Sequence, residues 1–500
     1  MSAKRRFIYN GIVLTLVGFA MRGVALFLSA YISGAIGAEG IGLQGLIATV
    51  YSFAVTFATS GVSLSVTRLV ASSIGEGSGT DRILRGAFIY ALCFGFAATV
   101  ILFIFSDLIG AVILSDERIA VALRILSLSL LPIALSSVIS GYFVAVRRVA
   151  LNASVQILGQ VMRIALTVFL LGRIDGVNIG ASVRALALGA TVTETACFLV
   201  AFVEYLIDRR LHKFERKGSA GVKEVSKMAL PLAFSAYVRS FLLSVEHSLI
   251  PRRLTDRGNS RSEALASYGY LSGMALPIIL FPMTPLSSFS GLLVPEFAES
   301  EGASDGERIR KMASGAIEKA LAYAIIVAVF IFSFSEELGY VIYDTYAAGK
   351  YIGFLAPVIP LMYLDHVTDS MLKGIGEHVY SMWVNIADSF LSVFLVWALI
   401  PIFDISGYAM VIIGMELFNF ALSYLRLHKR VKFGFNILHA VVLPLIASVV
   451  AVILSKWAFV FSGSSVSPFW LIMQISFGAC ICIAVLFAVS IVKSYRKIKT

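Results

Sequence analysis

The chain has 500 residues, 58% of them hydrophobic and only 14% charged. Soluble domains carry about 25% charged residues, so a chain this poor in polar side chains cannot clothe a water-facing surface, and most of that surface must face lipid. The net charge of +11 would suggest nucleic acid in a soluble protein; here the basic residues sit in short loops between apolar runs, which fits a positive-inside membrane topology and no nucleic-acid partner.

In chain order, about fourteen stretches are long and apolar enough to cross a bilayer. They are 8–33, 44–73, 86–107, 119–146, 150–171, 184–207, 227–250, 266–298, 313–335, 353–374, 379–401, 405–427, 436–461 and 468–492. The first follows Lys4-Arg5-Arg6 and is too long for a signal-peptide core, so it reads as a span. The eighth carries Pro277, Pro282, Pro285 and Pro295 and is predicted to be kinked or broken. With the N-terminus inside, cytoplasmic segments hold an excess of Lys and Arg of about threefold over outer loops. Both termini are then cytoplasmic, in the plasma membrane. Arg252, Arg253, Arg257 and Arg261 dissent by falling outside, as a solvated loop or an anion patch.

The longest basic stretch, 208–227, reads as a cytoplasmic linker, or simply as a solvated loop touching anionic headgroups. The expected organisation is a six-helix lobe over 1–207, the linker over 208–227, a second six-helix lobe over 228–430 and two additional helices over 431–500. A weak internal echo supports two halves. Residues 16–22 align with 233–239, placing Arg22 over Arg239, and 39–71 lie without gaps over 263–295. An even number of spans per half relates the halves about an axis along the membrane normal. The fold class is an all-α polytopic membrane protein.

Seven basic side chains fall inside the apolar stretches: Arg22, Arg68, Arg124, Arg163, Arg239, Lys319 and Lys456. A charge near the bilayer centre costs about 2.5–3.5 kcal/mol on the mildest scale, so such groups usually face a wet cavity. Arg22 and Arg239, one per half, are candidate guanidinium forks for phosphate; the competing reading is a structural arginine bonded to helix-end carbonyls or a carboxylate. Arg68, near the cytoplasmic end of its span, is a further candidate for the same cavity or snorkels to the interface, and Arg163, mid-span but without a partner in the repeat, is another candidate. Arg124, Lys319 and Lys456 lie near span ends and snorkel. Glu246 shares a helix face with Arg239 and has His247 beside it, so it reads either as an internal counter-ion or as a coupling group. Asp365 with Asp369, Asn385 with Asp388, and Glu416 with Asn419 are pairs at helical spacing. They could bind a coupling monovalent cation or a sugar, or act as interhelical hydrogen-bond glue. Glu194 is open in the same way. The cysteines Cys93, Cys197, Cys480 and Cys482 all fall in apolar runs and read as packing residues. No metal-ligand spacing is present. There is no Walker loop, HExxH or GxSxG motif, so neither an enzyme nor a cofactor is expected.

The stretches 32–43 (ISGAIGAEGIGL) and 58–70 (ATSGVSLSVTRLV), with 237–240 (YVRS), Glu246-His247, 250–254 (IPRRL) and 293–299 (LVPEFAE), resemble the stage V sporulation protein B family. That family lies in the polysaccharide-transporter branch of the multidrug/oligosaccharidyl-lipid/polysaccharide exporter superfamily, and the resemblance covers essentially the whole chain. It implies fourteen helices, two six-helix lobes around a V-shaped cavity, and alternating access by lobe rocking. It also implies a polyprenyl-pyrophosphate-linked glycan as cargo, cavity arginines that hold the pyrophosphate, and a lipid-tail groove on the last two helices. Arg22, Arg68 and Arg239 are similar in position to those arginines. The leading expectation is therefore a flippase for a lipid-linked oligosaccharide or cell-wall precursor. The alternative is an ion-coupled exporter of cationic drugs, in which Asp365, Asp369 and Glu416 dominate. A glycan polymerase or ligase would want catalytic groups in a large outer loop, and no outer loop is large.

Overall fold

The computed structural model describes residues 3–75, 80–174, 176, 178–211, 221–303, 305–459 and 467–499. The middle of the basic linker, 212–220, lies outside the described residues. Helix dominates, and no strand occurs among the described residues. In hydrocarbon every backbone N–H and C=O must be bonded within the protein, and a helix achieves this inside one segment. Among the described residues eleven helices are long and apolar enough to cross a membrane, or up to thirteen if each of two bent pairs is one span. The longest run, Gly18–Ile74, holds two of the expected spans. It is broken at Gly37, whose φ of 68° is readily open only to glycine. The chain is a multi-pass, all-helical membrane protein.

Two compact units emerge, one of residues 35–265 and one of 1–34 with 266–500. The 35–265 unit holds the later part of α1 (Ala3–Thr59), then α2 (Val62–Gly75), α3 (Asp81–Asp107), α4 (Glu117–Ser127) and α5 (Leu130–Ala145). It continues with α6 (Val149–Leu171), α7 (Ile179–Leu211) and α8 (Val222–Asp256). Small residues bring these helices close: a Cβ on Gly141 would lie 2.5 Å from the Ser63 carbonyl oxygen, and one on Gly95 would lie 2.8 Å from the Ala134 methyl. Hydroxyls supply the glue, with Tyr51 Oη and Ser129 Oγ 2.6 Å apart and Thr67 Oγ1 donating to the Gly141 carbonyl at 3.1 Å. Asp116 caps α4, and Arg118 bridges it (2.7 Å) to Glu39 (2.9 Å). Arg261 donates to the Leu114 carbonyl and Arg253 faces Asp256 at 3.3 Å, so two of the four basic residues near the end of α8 are held in local contacts.

The other unit takes the start of α1 and the end of α9 (Arg261–Tyr268), then α10 (Leu276–Leu280), α11 (Thr284–Gly302) and α12 (Gly306–Ser333). A tight pair follows, α13 (Ser335–Tyr343) and α14 (Tyr346–Leu355), then α15 (Ile359–Gly374), α16 (His378–Phe403) and α17 (Ile405–Val431). Last come α18 (Leu443–Phe459) and α19 (Pro468–Lys499). The turn before α16 is pinned by Glu377, which accepts from Arg426 and Arg430 of α17. Those two guanidiniums, Arg426 foremost, hold its carboxyl below the usual carboxylate range. The last two helices pack through Ala447, Ala451, Val452, Leu471 and Cys482 onto Phe330 and Phe334. Fully burying a side chain such as Phe334 is worth about 1.5–3 kcal/mol. Cys482 is buried, but Cys93 and Cys480 are exposed on their helices, so interior packing does not account for those two.

This packing cuts across the span count. α8, expected to open the second lobe, packs in the 35–265 unit, whereas the first part of α1 packs in the other. The two placements mirror each other. Arg22 of α1 bonds the Leu280 carbonyl, while on α8 Ser240 meets Thr56 at 3.4 Å and Ser244 donates to the Thr49 carbonyl at 2.9 Å. In the internal alignment Thr56 stands over Leu280, so each half's first span meets the same point on the other half's second span.

The glycine contacts are testable by thermal unfolding in detergent. Gly141→Ala forces a methyl onto the Ser63 carbonyl and is expected to lower stability by about 1–3 kcal/mol. Gly315→Ala, where a Cβ meets nothing within 4 Å, should leave stability unchanged or raise it by up to about 1 kcal/mol through helix propensity.

Candidate functional site

The proline-rich eighth span builds the first half of the site. Between α9 and α11 the backbone passes through a π-helical segment (Gly269–Ala275), the short α10 and a 3-10 turn (Phe281–Met283). Pro277, Pro282 and Pro285 each sit in the first turn of a segment, where a missing N–H costs least. The consequence is a run of carbonyls without their α-helical donors. Thr284 N–H, for example, turns to Phe281 instead of Leu280. Side chains take these carbonyls over: Tyr363 Oη donates to Ile279 at 2.8 Å, Tyr323 Oη to Pro282 at 2.6 Å, and Arg22 Nη1 to Leu280. Arg22 is half-buried and acts electrostatically on both Tyr363 and His366. A guanidinium has five donors, and the carbonyl bond uses one of them.

Beyond His366 lies an acidic region on α15, α16 and α17. Asp369 has its own counter-ion, Lys373 at 2.5 Å, and accepts from Ser381. Asn385 donates to the Ser381 carbonyl at 2.8 Å. Asp365 bonds Ser423 through one oxygen, while its Oδ1 is buried without a hydrogen bond, as is Asn419 Oδ1. Glu416 faces Asp365 and Asp388. Among the described residues neither Asp365 nor Glu416 makes an ion pair, and no three His, Cys, Asp or Glu side chains converge as a metal-ligand set. The spacing-based pairs are thus regrouped: Asp369 joins Lys373 and Ser381, and Asp365 joins Asp388 and Glu416. Ser423, Tyr323 and Tyr363 were not singled out by sequence reasoning. The proline spacing of the eighth span was the available signal for the two tyrosines.

In the 35–265 unit, Arg68 on α2 and Arg239 on α8 are exposed, and neither makes an ion pair among the described residues. Arg163 differs: it pairs with Glu194 at 2.7 Å, across α6 and α7. Arg124 pairs with Asp107 at 2.5 Å. Lys456 of the other unit donates to the Ser333 carbonyl at 2.6 Å and lies 3.2 Å from Glu337. Lys319 is exposed on α12. Glu246 is buried and His247 half-buried, next to the serines that bind α8 to α1. The deep cations therefore sort into three paired with carboxylates, one bound to a displaced carbonyl, and three, Arg68, Arg239 and Lys319, that are exposed and make no ion pair among the described residues.

Comparison with known proteins agrees with this architecture. The model of the polysaccharide biosynthesis protein family matches residues 7–301, and the MatE model matches 258–398. Stage V sporulation protein B of Bacillus subtilis (strain 168) is 26% identical over 431 residues, covering 83% of this chain and 82% of that protein. The lipid II flippase MurJ, in an inward closed conformation, superposes with a TM-score of 0.73 at 16% identity, over 98% of this chain and 100% of its own. An inward-facing multidrug resistance MATE transporter of the MOP superfamily gives 0.66 at 16% identity, over 84% and 98%. Helical spans, displaced carbonyls and exposed arginines thus sit on a fold that these solved transporters share, and the chain belongs to the polysaccharide biosynthesis protein family.

Proposed function

We propose that the chain translocates a polyprenyl-pyrophosphate-linked glycan across the plasma membrane by alternating access, with both termini cytoplasmic. The observation that carries this reading is the sorting of deep cations. Arg163, Arg124 and Lys456 have carboxylate partners, whereas among the described residues Arg68, Arg239 and Lys319 make no ion pair and Arg22 bonds a carbonyl. Guanidiniums kept at membrane depth without an internal anion are suited to an anion that arrives with the cargo, and the pyrophosphate of a lipid-linked sugar has the charge and geometry for bidentate binding. The lipid II flippase among the structural neighbours and the sporulation relative support the same cargo class. The tail would lie along the exposed apolar face of α18 and α19, which includes Ile453, Trp457, Ile472 and Phe487. Asp365, Asp388 and Glu416 are suited to a coupling proton or hydrated monovalent cation, since they do not form a chelating ligand set.

The same acidic group, together with the multidrug-transporter neighbour, favours a second reading, coupled export of an organic cation. Proteoliposome transport separates the two. With a polyprenyl-pyrophosphate disaccharide labelled on the sugar, Arg22→Ala and Arg239→Ala should each slow translocation about tenfold or more, since a charge-assisted hydrogen bond contributes about 1.5–3 kcal/mol. Lys311→Ala, at an exposed residue, should leave it unchanged. Normal flipping by both arginine variants would remove the proposal.

The coupling assignment has its own readout. Asp365→Asn and Glu416→Gln are expected to retain downhill movement of the labelled lipid while losing its acceleration by an imposed proton or sodium gradient. If these variants instead abolish efflux of a cationic dye that the wild type exports, and the arginine variants do not, the second reading holds.

A further inference from the structure

In the unit of 1–34 with 266–500, a cavity of about 420 Å³ opens at the end where α14 and α17 begin, away from the Glu377–Arg426 pair. Three elements each give it one face. Ser267 of α9 and Tyr270 of the π-helical segment are three residues apart, Lys350 and Tyr351 of α14 precede Phe354 by four and three, and Ser406 lies in the first turn of α17. The walls are held by close packing. A Cβ on Gly349 would lie 2.7 Å from Glu336 Cα, which presses α14 onto α13, and one on Gly407 would lie 2.7 Å from the Leu399 carbonyl oxygen, which presses α17 onto α16. A volume of this size falls in the range of about 300–1,000 Å³ that small-molecule sites occupy.

The lining combines flat apolar surface with hydroxyls. The Tyr270 and Tyr351 rings are nearly parallel, 20° between planes with centroids 6.5 Å apart, and Phe354 is exposed. The hydroxyls of Ser267, Tyr270, Tyr351 and Ser406 make no hydrogen bond among the described residues. Each can both donate and accept. One side chain of each sign is at hand, since Lys350 lines the cavity and Asp404 acts electrostatically on Tyr351, so the site is not built for a strongly charged ligand. We propose that this cavity binds one uncharged pyranose ring of a saccharide. A pyranose has an apolar C–H face that covers an aromatic ring, and equatorial hydroxyls that exchange hydrogen bonds with serine and tyrosine at its edge. An organic cation would also suit aromatic faces, but the Lys350 ammonium opposes it. The inference deepens the glycan reading of the cargo and rests on it for the sugar's origin. With both termini cytoplasmic as proposed above, this end lies on the outer side, where the sugar of a translocated lipid emerges.

The test uses the full-length protein in nanodiscs, titrated with soluble disaccharides that carry neither lipid nor phosphate (chitobiose, cellobiose and maltose) or with tetraphenylphosphonium. Binding is read by saturation-transfer NMR. At least one disaccharide should bind the wild type, and Y270L/Y351L should weaken it about tenfold or more through the loss of two aromatic faces and two hydroxyls. Where that variant fails to fold, K350Q/S406A, at two exposed positions, takes its place and should weaken binding severalfold. Sugar binding that is absent from the wild type, or unchanged in the folded variants, overturns the site. So does displacement of the sugar by tetraphenylphosphonium at lower concentration, which would mark a cation pocket. Wild-type flipping of the labelled polyprenyl-pyrophosphate disaccharide is measured alongside. Its absence removes the transport reading, whereas the titration with soluble sugar decides the site.

Discussion

A polar group inside hydrocarbon has no water to bind, so the protein has to supply its partner. That constraint shapes the eighth span more than any other part of the molecule. Its prolines cannot donate, the helix slips into π and 3-10 geometry, and the carbonyls of Ile279, Leu280 and Pro282 lose their ordinary donors. Tyr363, Arg22 and Tyr323 come from three other helices to meet them. The broken span is therefore the hub that positions α1, α12 and α15 around Arg22. A cation that would be costly alone at that depth is held by a dipole, which fixes its position without neutralising its charge.

The same constraint acts on the other charges with a different outcome. Where an opposite charge sits within reach, as Glu194 does for Arg163 and Lys373 does for Asp369, the pair closes on itself and leaves little field for a ligand. At Arg68, Arg239, Asp365 and Glu416 no ion pair forms among the described residues, and under the proposed function these charges are the ones left for cargo and coupling ion. The excess cations lie on α1, α2 and α8, and the excess acids on α15 and α17.

Helical architecture, the irregular eighth span and the family were legible in the sequence, because length of apolar run, proline placement and local motifs are local properties. Partner choice was not. Asp365 and Asp369 share a helix face by spacing, yet Lys373 and Ser381 claim one and Ser423 the other, a distinction set by which helices pack alongside. Arg163 and Glu194 were each read as ambiguous, although they are 31 residues apart and bonded to one another. Pairing across helices depends on rotation about each helix axis, and an apolar sequence surrounded by lipid constrains that rotation weakly, because several faces are almost equally hydrophobic.

The same weakness explains why span order did not predict the packing units. Loop connectivity places α8 with the helices that follow it, but its serines and Tyr237 bind Thr49 and Thr56 of α1 and Ser60 just after it instead. The early part of α1 makes the reciprocal choice, with Gly18 admitting Thr284 and Arg22 reaching Leu280. α1, two helical stretches that meet at a kink, therefore contributes to both units, and the chain passes between them at Gly34–Ala35. The non-helical residue inside α1 is Gly37, three positions later, where nothing lies within 4 Å of a Cβ position. Packing does not require a glycine there; backbone conformation does, since a φ of 68° strains other residues. The requirement for glycine at this point follows from a helix that must change direction where its allegiance changes.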